Sequence, residues 1–434
     1  MLIEFNFSNY RSFRDDTCLS MEASGLGSMK NCLIPYKSTR LLPVAAILGK
    51  NGGGKSTVIR AFWTSVKFVC TAQMTQHETA PIPVTPFLLN DYSSDQPTSF
   101  EFIYTMDGIK YRYGFSATSR EIVSEYLYHA PKGQNALIFQ RNYQEFKFRE
   151  NADTKRRQLI SEAVAKNQLY FAVACTMNDK PCMTAMRWFR DCVFFSRDYT
   201  DLTGQIAEHT GNTSMLQSIK KYAINADLGI DDMQFEIQKK EIDIQNGFPD
   251  EVPDEVKREI QNFIQSLTDD PRKLESHLQM QQVTVTSFHK GINKSGIETT
   301  YPLPLSEESD GTRVLMVYAP AIEQALQCGG VFLADELEKR LHPALVSMII
   351  SKFQSPVSNP NHAQLIFTTH NTETLNMELL RKDQIYFADK DSSDGSSSLY
   401  SISDFSTTTN ENMRKSYLIG KFGAIPDVEV EDVF

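Results

Sequence analysis

The sequence has no Cys-x-x-Cys pair, no long hydrophobic run and no excess of basic residues. Its seven cysteines are scattered over 434 residues, which indicates neither a zinc ribbon nor a disulfide framework and suits a reducing compartment. No apolar stretch approaches the roughly 18 residues of a membrane-spanning helix, and the charged, alternating amino terminus is not a signal peptide. The net charge of -10 argues against a surface that is basic throughout, although it permits a local basic channel. These absences predict a cytoplasmic protein with no membrane partner.

Composition and pattern divide the chain into three predicted regions. The length suits two or three units of roughly 150 residues each, and 41% hydrophobic residues suffice for a sizeable core. Residues 1–130 contain alternating strands and a predicted hairpin around Asp107-Gly108. Residues 131–290 contain charged stretches of helical spacing and are interpreted as a mostly helical insertion. Residues 291–434 alternate predicted strands and helices, which favours a largely parallel α/β sheet.

The stretch "GKNGGGKS" at residues 49–56 fits the P-loop pattern G-x-x-x-x-G-K-[ST] in full. An apolar run precedes it and a stretch of helical spacing follows it, as a P-loop requires. The glycines allow backbone N–H groups to close around phosphate oxygens, and the helix N-terminus favours an anion. Lys55 is predicted to neutralise the β and γ phosphates, and Ser56 to bind Mg²⁺. The alternative is a glycine-rich turn that matches by chance, which the flanking elements disfavour.

The stretch "VFLADE" at residues 331–336 has the pattern of a buried strand that ends in two acids. In α/β sheets, this carboxyl edge is where ligands bind. Asp335 is predicted to hold Mg²⁺ through water, and Glu336 to polarise the attacking water as a general base. An acidic helix cap is the alternative, and the presence of a P-loop in the same chain disfavours it.

A third apolar strand, "LIFTTH" at residues 365–370, ends in His370. It follows the acidic strand after one intervening predicted helix. A histidine in this position can reach a γ-phosphate and sense its presence. A purely structural histidine is the alternative, and the position of His370 in the order of motifs favours the functional interpretation.

The polar stretch "ESDGT" at residues 308–312 precedes an amphipathic helix and then the acidic strand. It resembles the Ser-x-Gly signature that ABC-type ATPases carry in this place, with Asp310 where the common form has glycine. Ser309 and the N–H groups near Gly311 are predicted to bind a γ-phosphate. The resemblance implies that this phosphate belongs to the opposite subunit, so that ATP lies between two heads. A plain helix cap is the alternative.

Together the motifs resemble ABC-type ATPases related to SMC and RecF heads, not transporter subunits. The implied fold is α/β: an ABC-type ATPase head with amino-terminal antiparallel strands, a parallel-sheet P-loop core and a mostly helical insertion. "DELEKRLHP" (335–343) is similar to a segment of OLD-like and AAA-type bacterial ATPases. "YLIGKFGAIP" (417–426) resembles the C-terminal signature of the RloA and AbiLi ATPases of abortive-infection modules. The resemblance covers residues 1–130 and 290–434.

The resemblance implies a role for each matching residue, with ATP and Mg²⁺ as cofactors. The catalytic residues implied are Glu336, Lys55 and His370, and the metal ligands are Ser56 and Asp335. The nucleotide-binding residues implied are Gly49, Lys50, Asn51, Gly52, Gly53, Gly54, Lys55, Ser56, Thr57, Ser309 and Gly311. His342 falls where related ATPases have a loop at their dimer interface. Asp310 puts a negative charge near phosphate, which predicts weak or conditional binding by the signature.

The function that the resemblance implies is an ATP-hydrolysing sensor or scaffold of an anti-phage system. Relatives of this class pair with a separate effector, often a Toprim-type nuclease, and the sequence contains no nuclease or protease signature. A homodimer or higher homo-oligomer is expected, with DNA or a phage protein as further candidate partners. The alternative is a RecF-type DNA-maintenance ATPase, for which "KRR" (155–157) is a local basic patch or merely a solvated helix face. The long middle region disfavours a transporter subunit, and the intact Glu336 disfavours a non-catalytic binding module.

Overall fold

The structure is a computed structural model that describes residues 1–74, 77, 79–131, 133–149, 153–196, 202–208, 213–225, 229–243, 257–258, 277–408 and 411–425. Its strands are β1 (Leu2–Ser8), β2 (Thr17–Ser20), β3 (Ile34–Tyr36), β4 (Thr39–Leu41), β5 (Val44–Leu48), β6 (Thr98–Met106), β7 (Ile109–Ala117), β8 (Ile122–Ala130), β9 (Ala136–Asn142), β10 (Glu145–Phe148), β11 (Val193–Phe195), β12 (Ile230–Asp243), β13 (His277–Ile292), β14 (Glu298–Pro304), β15 (Val331–Ala334), β16 (Gln364–Thr368), β17 (Ile385–Lys390) and β18 (Ser397–Ser401). Its helices are α1 (Lys55–Thr71), α2 (Asp91–Ser94), α3 (Thr154–Glu162), α4 (Tyr170–Thr176), α5 (Lys180–Asp191), α6 (Leu202–Glu208), α7 (Thr213–Asn225), α8 (Asp310–Cys328), α9 (Pro343–Gln354) and α10 (Met413–Leu418).

The chain divides into two compact units. The first unit comprises Met1–Ser196 and Ala321–Phe434, and the second unit comprises Arg197–Pro320.

A six-stranded sheet in the order β11-β15-β16-β5-β17-β18 runs through the first unit. Neighbouring strands from β11 to β17 are parallel, and β18 pairs antiparallel with β17. The strands β5, β15 and β16 are buried along their whole length, which explains their continuous apolar sequences. Because parallel strands end at the same edge, the segments that follow these three strands meet there. The predicted α/β fold with a parallel P-loop core is confirmed.

An antiparallel sheet in the order β10-β9-β8-β7-β6-β1-β2 forms the other layer of the first unit. Its β6–β7 hairpin pairs Met106 with Ile109 around Asp107 (φ 51°) and Gly108 (φ 74°). Two successive positive φ angles are the requirement of a type I′ turn, which matches the twist of the flanking strands. The hairpin predicted at Asp107-Gly108 is therefore present.

The core of the first unit contains α1 and one face of the antiparallel sheet. The helix buries the apolar face that its sequence spacing predicts: Val58, Phe62, Val66 and Val69. The ring of Phe62 contacts aromatic rings of the antiparallel sheet and of α5: Phe5, Phe102 and Trp188. Burial of these side chains holds the helix that follows the P-loop in a fixed position.

Gln364, at the start of β16, joins the two sheets by hydrogen bonds. Its fully buried side chain accepts from the Leu2 N–H (2.6 Å) and donates to the carbonyls of Leu2 (2.9 Å) and Leu42 (3.2 Å). All of these groups are buried polar groups that would be costly without partners. The amide therefore fixes β1 against the parallel sheet.

The structure divides the middle of the chain differently from the predicted boundaries at 130 and 290. Up to Ser196, the predicted insertion contributes β9, β10 and α3–α5 to the first unit. Beyond it lies the second unit, where β12, β13 and β14 form an antiparallel sheet. Contacts join α6 to β13 and α7 to β12. The described residues of this region therefore form both helices and strands. The strands β12 and β13 pair antiparallel along their length.

Residues 154–177, one of the charged stretches of helical spacing, form two helices, α3 and α4, with a break between them. At the break, the Asn167 side chain donates to the carbonyls of His77 (2.9 Å) and Ala80 (3.0 Å). These hydrogen bonds connect distant parts of the chain and outweigh the local helical spacing. Another stretch of helical spacing in the sequence, residues 254–267, lies outside the described residues apart from residues 257–258.

A buried carboxylate on β8 connects the antiparallel sheet to the start of α4. Glu125 accepts hydrogen bonds from the N–H groups of Tyr170 (2.8 Å) and Phe171 (2.9 Å) and from the Tyr113 hydroxyl (3.1 Å). The Arg141 guanidinium lies 3.7 Å away and is also fully buried. Burial raises the pKa of Glu125, and Arg141 opposes that shift.

Replacing Glu125 with alanine is expected to lower the free energy of unfolding by about 3 kcal/mol, because a buried arginine and two helix N–H groups lose their partner. Urea unfolding of the variant and the wild type measures this difference. Glu145→Ala, at an exposed position of β10, is the matched control and should change the value by less than about 0.5 kcal/mol. Equal unfolding midpoints for Glu125→Ala and wild type would show that the buried cluster adds nothing to stability.

Among the described residues, the helices are too short or too polar to cross a membrane.

Candidate functional site

The P-loop connects β5 to α1 at the carboxyl edge of the parallel sheet. Gly49 (φ 145°), Gly52 (φ 74°) and Gly54 (φ 112°) have positive φ angles that side chains disfavour. A Cβ atom at Gly53 would lie 2.6 Å from the carbonyl oxygen of Ala388 on β17, and one at Gly49 would also collide with it. The loop is thus packed directly against the neighbouring strand. The space beside Gly52 is open, with no atom within 4 Å of a Cβ built there.

Lys55, the first residue of α1, turns its ammonium back into the loop. Its side chain is buried, and Nζ donates to the carbonyls of Gly49 (2.8 Å) and Lys50 (2.9 Å). The first N–H groups of a helix have no partner within the helix, and they carry the positive end of its dipole. A buried cation at a helix N-terminus beside an open loop is suited to bind phosphate.

The two acids after β15 are held by Thr368, at the end of β16. The Thr368 hydroxyl donates to Asp335 Oδ1 (2.7 Å) and accepts from the Glu336 N–H (2.7 Å). The Thr368 carbonyl also accepts from the Leu337 N–H (3.1 Å). Glu336 has a φ of 52°, a left-handed conformation that is rare outside glycine and clusters at functional sites. One threonine therefore fixes both the carboxylate of Asp335 and the backbone of Glu336.

His370 follows β16 and faces the same group of acids. Its ring Nε2 lies 3.6 Å from Glu336 Oε1. Its backbone N–H donates to Glu338 Oε1 (2.5 Å). Lys339 Nζ is 3.8 Å from the other oxygen of Glu336. The side chains of Glu336 and His370 are each 38% exposed, so both are accessible to water and to a ligand.

The P-loop lysine and the acids also interact electrostatically. Burial lowers the pKa of Lys55, and the carboxylates of Glu336, Asp335 and Glu338 oppose this shift. The motifs after β5, β15 and β16 therefore lie at one edge of the sheet, as expected for the ends of three adjacent parallel strands.

The residues of this site fit a magnesium–nucleotide pair. Within the described part of the chain, no group of three or more His, Cys, Asp or Glu could hold a metal ion. Magnesium in nucleotide sites is commonly held by one or two carboxylates together with the phosphates of the substrate. Ser56, in the first turn of α1, and Asp335 supply a hydroxyl and a carboxylate of this kind. Thr57 lies in the same turn, and its N–H donates to the Gly54 carbonyl (2.9 Å).

The polar stretch "ESDGT" belongs to the second unit, where it starts α8. The Ser309 hydroxyl accepts from the Thr312 N–H (3.1 Å) and lies 2.8 Å from the Thr312 hydroxyl, so it acts as the helix N-cap. Asp310 forms an ion pair with Arg313 (2.7 Å), and Gly311 lies in the first turn. The Asp310 charge, which departs from the common signature, is therefore partly offset within the helix itself.

The residue before Ser309 anchors the stretch to β13. The buried carboxylate of Glu308 accepts from the Ser287 hydroxyl and lies 2.6 Å from His289 Nε2. The start of α8 is thus fixed relative to the long β12–β13 pair of the second unit.

His342 has a local structural role in the chain. It is the N-cap of α9, where its Nδ1 accepts from the Ala344 N–H (3.2 Å). Pro343 occupies the first helical position, which favours a helix start.

Sequence reasoning missed three residues that the structure places at the site. Thr368 binds both acids after β15, Glu338 binds the N–H of His370, and Asp389 pairs with Lys50 Nζ (3.0 Å). For Thr368, the available signal was a hydroxyl at the end of a buried apolar strand. No local pattern reports Asp389, because its partner lies more than 300 positions earlier in the chain.

More than half of the chain is similar to one protein family. A family model described as "AAA domain, putative AbiEii toxin, Type IV TA system" matches residues 44–164 and 231–376, more than half of the chain. This chain belongs to that family. The matched ranges of this AAA domain include the P-loop, the acids after β15 and His370. Asp389 and residues 417–426 follow the matched part. The sequence matches no curated protein.

Three solved structures are similar to this AAA-domain chain at low identity. The SMC head bound to the C-winged helix domain of ScpA has a TM-score of 0.41 and 12% identity, with 92% of this chain and 97% of that chain covered. The recombination mediator protein RecF with ATPrS has a TM-score of 0.37 and 12% identity, with coverages of 92% and 98%. RecF with ATP has a TM-score of 0.37 and 10% identity, with coverages of 92% and 97%.

Proposed function

We propose that this AAA-domain protein binds and hydrolyses ATP between two copies of itself. The observation that carries the proposal is the convergence of the P-loop, the acid pair and His370 at the ends of β5, β15 and β16. Phosphate-binding groups and a candidate general base rarely share one sheet edge for structural reasons alone.

The proposed roles follow from the chemistry of each side chain. Lys55 and the backbone N–H groups of Asn51, Gly52, Gly54, Lys55 and Ser56 bind the β and γ phosphates, since the ammonium and the positive end of the helix dipole favour an anion. Glu336 accepts a proton from the attacking water, and His370 contacts the γ-phosphate and the Glu336 carboxylate. Ser56 and Asp335 hold Mg²⁺, which when bound neutralises charge on the phosphates. Thr368 keeps the acids in position throughout.

The signature stretch supports the proposal that ATP lies between copies. A serine-capped helix start with a glycine in its first turn is an anion site, and the Ser309 hydroxyl accepts the capping hydrogen bond from the Thr312 N–H. In the proposed complex, Ser309 and the N–H groups near Gly311 bind the γ-phosphate held by the P-loop of the other copy. The Arg313 partner of Asp310 reduces the repulsion that this acid would exert on phosphate.

We further propose a role in defence against phages, with a cytoplasmic location. The family description names a putative toxin of a type IV toxin–antitoxin system, and the segment 417–426 resembles the signature of abortive-infection ATPases. In this proposal, the ATP state of the assembly holds or releases a separate effector, such as a Toprim-type nuclease. A phage protein or DNA is the candidate trigger.

Light scattering on Glu336→Gln, with and without ATP and Mg²⁺, tests the location of ATP. The variant is expected to retain ATP without turning it over, so its solution mass should double when ATP is added. A constitutive oligomer should instead dissociate less on dilution in the presence of ATP, since ligand binding stabilises the form that binds it.

The control adds Ser309→Arg to the Glu336→Gln background. This double variant keeps the P-loop and should bind ATP, yet its mass should not rise. If ATP binds to Glu336→Gln while neither mass nor stability to dilution changes, Ser309 is only a helix cap and ATP does not lie between copies.

A further inference from the structure

Asp389, at the end of β17, connects the P-loop to a distant part of the chain. Its Oδ1 pairs with Lys50 Nζ (3.0 Å) and accepts from the Lys390 N–H (2.9 Å). Its Oδ2 accepts from the Ala424 N–H (3.1 Å). The side chains of Lys50 and Asp389 are 27% and 28% exposed, so the ion pair is only partly screened by water.

The path from this ion pair to the phosphate-binding lysine is short. The carbonyl of Lys50 accepts from Lys55 Nζ (2.9 Å) and from the Gly53 N–H (3.1 Å). The carbonyl of Ala388, the residue before Asp389, lies against the same glycines of the loop. A movement of Asp389 therefore changes the conformation of Lys50, whose carbonyl orients the Lys55 ammonium.

The C-terminal segment, residues 411–425, contacts the strand that carries Asp389 through hydrogen bonds and stacked rings. The Tyr417 hydroxyl donates to the Ala424 carbonyl (2.9 Å), and the Tyr400 hydroxyl donates to the Phe422 carbonyl (2.7 Å). The ring of Phe387 on β17 stacks on Tyr417 and on Phe422. The segment thus packs on the strand that carries Asp389.

Two residues with left-handed backbone conformations form the turn that directs the Ala424 N–H toward Asp389. Gly423 has a φ of 69° and Ala424 a φ of 55°. A Cβ atom at Gly423 would lie 3.0 Å from the Tyr400 hydroxyl and 3.3 Å from Asp389 Oδ2. A side chain at Gly423 would therefore strain the backbone and press on Asp389 itself.

We propose that Asp389 is a positioning residue for the P-loop and that the C-terminal segment, by fixing Asp389, sets the affinity of the site for ATP. This inference rests on the proposed ATP binding. It assigns a role to the segment around "GKFGAI", which touches neither acid of the site. Release of the segment, for example by a partner that binds it, would lower ATP affinity, and ATP would in turn strengthen the docking of the segment.

ATP affinity in the Glu336→Gln background, measured by calorimetry with MgATP, tests the proposal. Asp389→Asn and Gly423→Ala should each weaken ATP binding about fivefold, as expected for loss of a partly exposed ion pair. The double variant should bind ATP no more weakly than either single variant, because both substitutions act through one contact. The same non-additivity should hold when Lys50→Met is combined with Asp389→Asn.

The matched controls change equivalent features elsewhere. Asp107→Asn removes the ion pair with Arg187, and Gly108→Ala alters a glycine of similar φ (74°) with open space around it. Both should bind ATP as the parent does. Thermal unfolding of each variant identifies any that fails to fold, and Gly423→Ala and Lys50→Met remain as tests if Asp389→Asn does so.

Hydrogen exchange of the Ala424 amide distinguishes a positioning role from a purely structural contact, because only a positioning role makes the exchange rate depend on ATP. Adding ATP to the Glu336→Gln protein should slow exchange of the Ala424 amide, and Lys50→Met should abolish that protection. If the parent binds ATP while the Asp389, Gly423 and Lys50 variants bind it equally well, the positioning role is refuted and the proposed function stands. If the parent itself does not bind ATP, the proposed function is wrong.

Discussion

Replacing Glu336 with glutamine is expected to reduce ATP hydrolysis by about 10²–10⁴-fold, the usual contribution of a general base. ATP affinity should stay within about twofold of wild type, because glutamine preserves the size of the side chain and Thr368 continues to hold the backbone. Phosphate release at saturating ATP and equilibrium binding of ATP measure the two quantities separately. Measuring hydrolysis and affinity separately matters, because loss of a residue that only binds substrate would lower ATP affinity and leave turnover unchanged.

The control for this variant is Glu378→Gln, the same change at an exposed acid. It should hydrolyse ATP at the wild-type rate. His370→Ala should lose activity to a smaller extent than Glu336→Gln, because the histidine contacts the base and does not replace it. Undiminished hydrolysis in Glu336→Gln would refute the general-base assignment and direct attention to Glu338, the neighbouring carboxylate.

Replacing Lys55 with alanine is expected to cost several kcal/mol of ATP binding, on the order of the contribution of a charged clamp on phosphates. The lysine is buried at the start of α1, with its ammonium fixed by two carbonyls of the loop. Its removal takes away the cation and leaves both carbonyls without that donor. Calorimetric titration with MgATP measures the loss.

Lys67→Ala is the matched control, because Lys67 lies on an exposed face of the same helix. It should bind ATP as wild type does. Thermal unfolding without nucleotide separates a general loss of loop structure from a specific loss of affinity. Equal ATP affinity in Lys55→Ala and wild type would refute nucleotide binding by this loop.

The elements that could be predicted from the sequence are those with strong local signals. The P-loop lies between a wholly apolar strand and an amphipathic helix, and the Asp107-Gly108 turn requires two positive φ angles. Both signals lie within a few residues of the structure they specify. The parallel pairing of the sheet could be predicted as well, since strand–helix alternation favours it.

The features that could not be predicted depend on partners far along the chain. β11 has three residues, and only its pairing with β15 identifies it as a strand. The break between α3 and α4 depends on hydrogen bonds to residues about 90 positions away. The division of the middle region between two units is likewise a property of tertiary packing. No window of sequence contains these contacts.

The same limit applies to the candidate site. Residue types and spacing identified the groups suited to phosphate and metal, whereas the residues that orient them had no motif of their own. Thr368 and Asp389 act on partners brought close only by the order of strands in the sheet. The geometry of Ser309 toward an opposite copy stays a prediction, because it depends on assembly.

The contact between Ala388 and the loop glycines has a consequence for how sequences of this family diverge. The carbonyl of Ala388 leaves no room for a side chain at Gly49 or Gly53, and this contact is made within the chain itself. Selection for folding alone would therefore preserve these two glycines. In a lineage that abandoned ATP, Lys55 and Glu336 should drift first while the glycines remain, so a glycine-rich loop by itself is a record of ancestry and not of present activity.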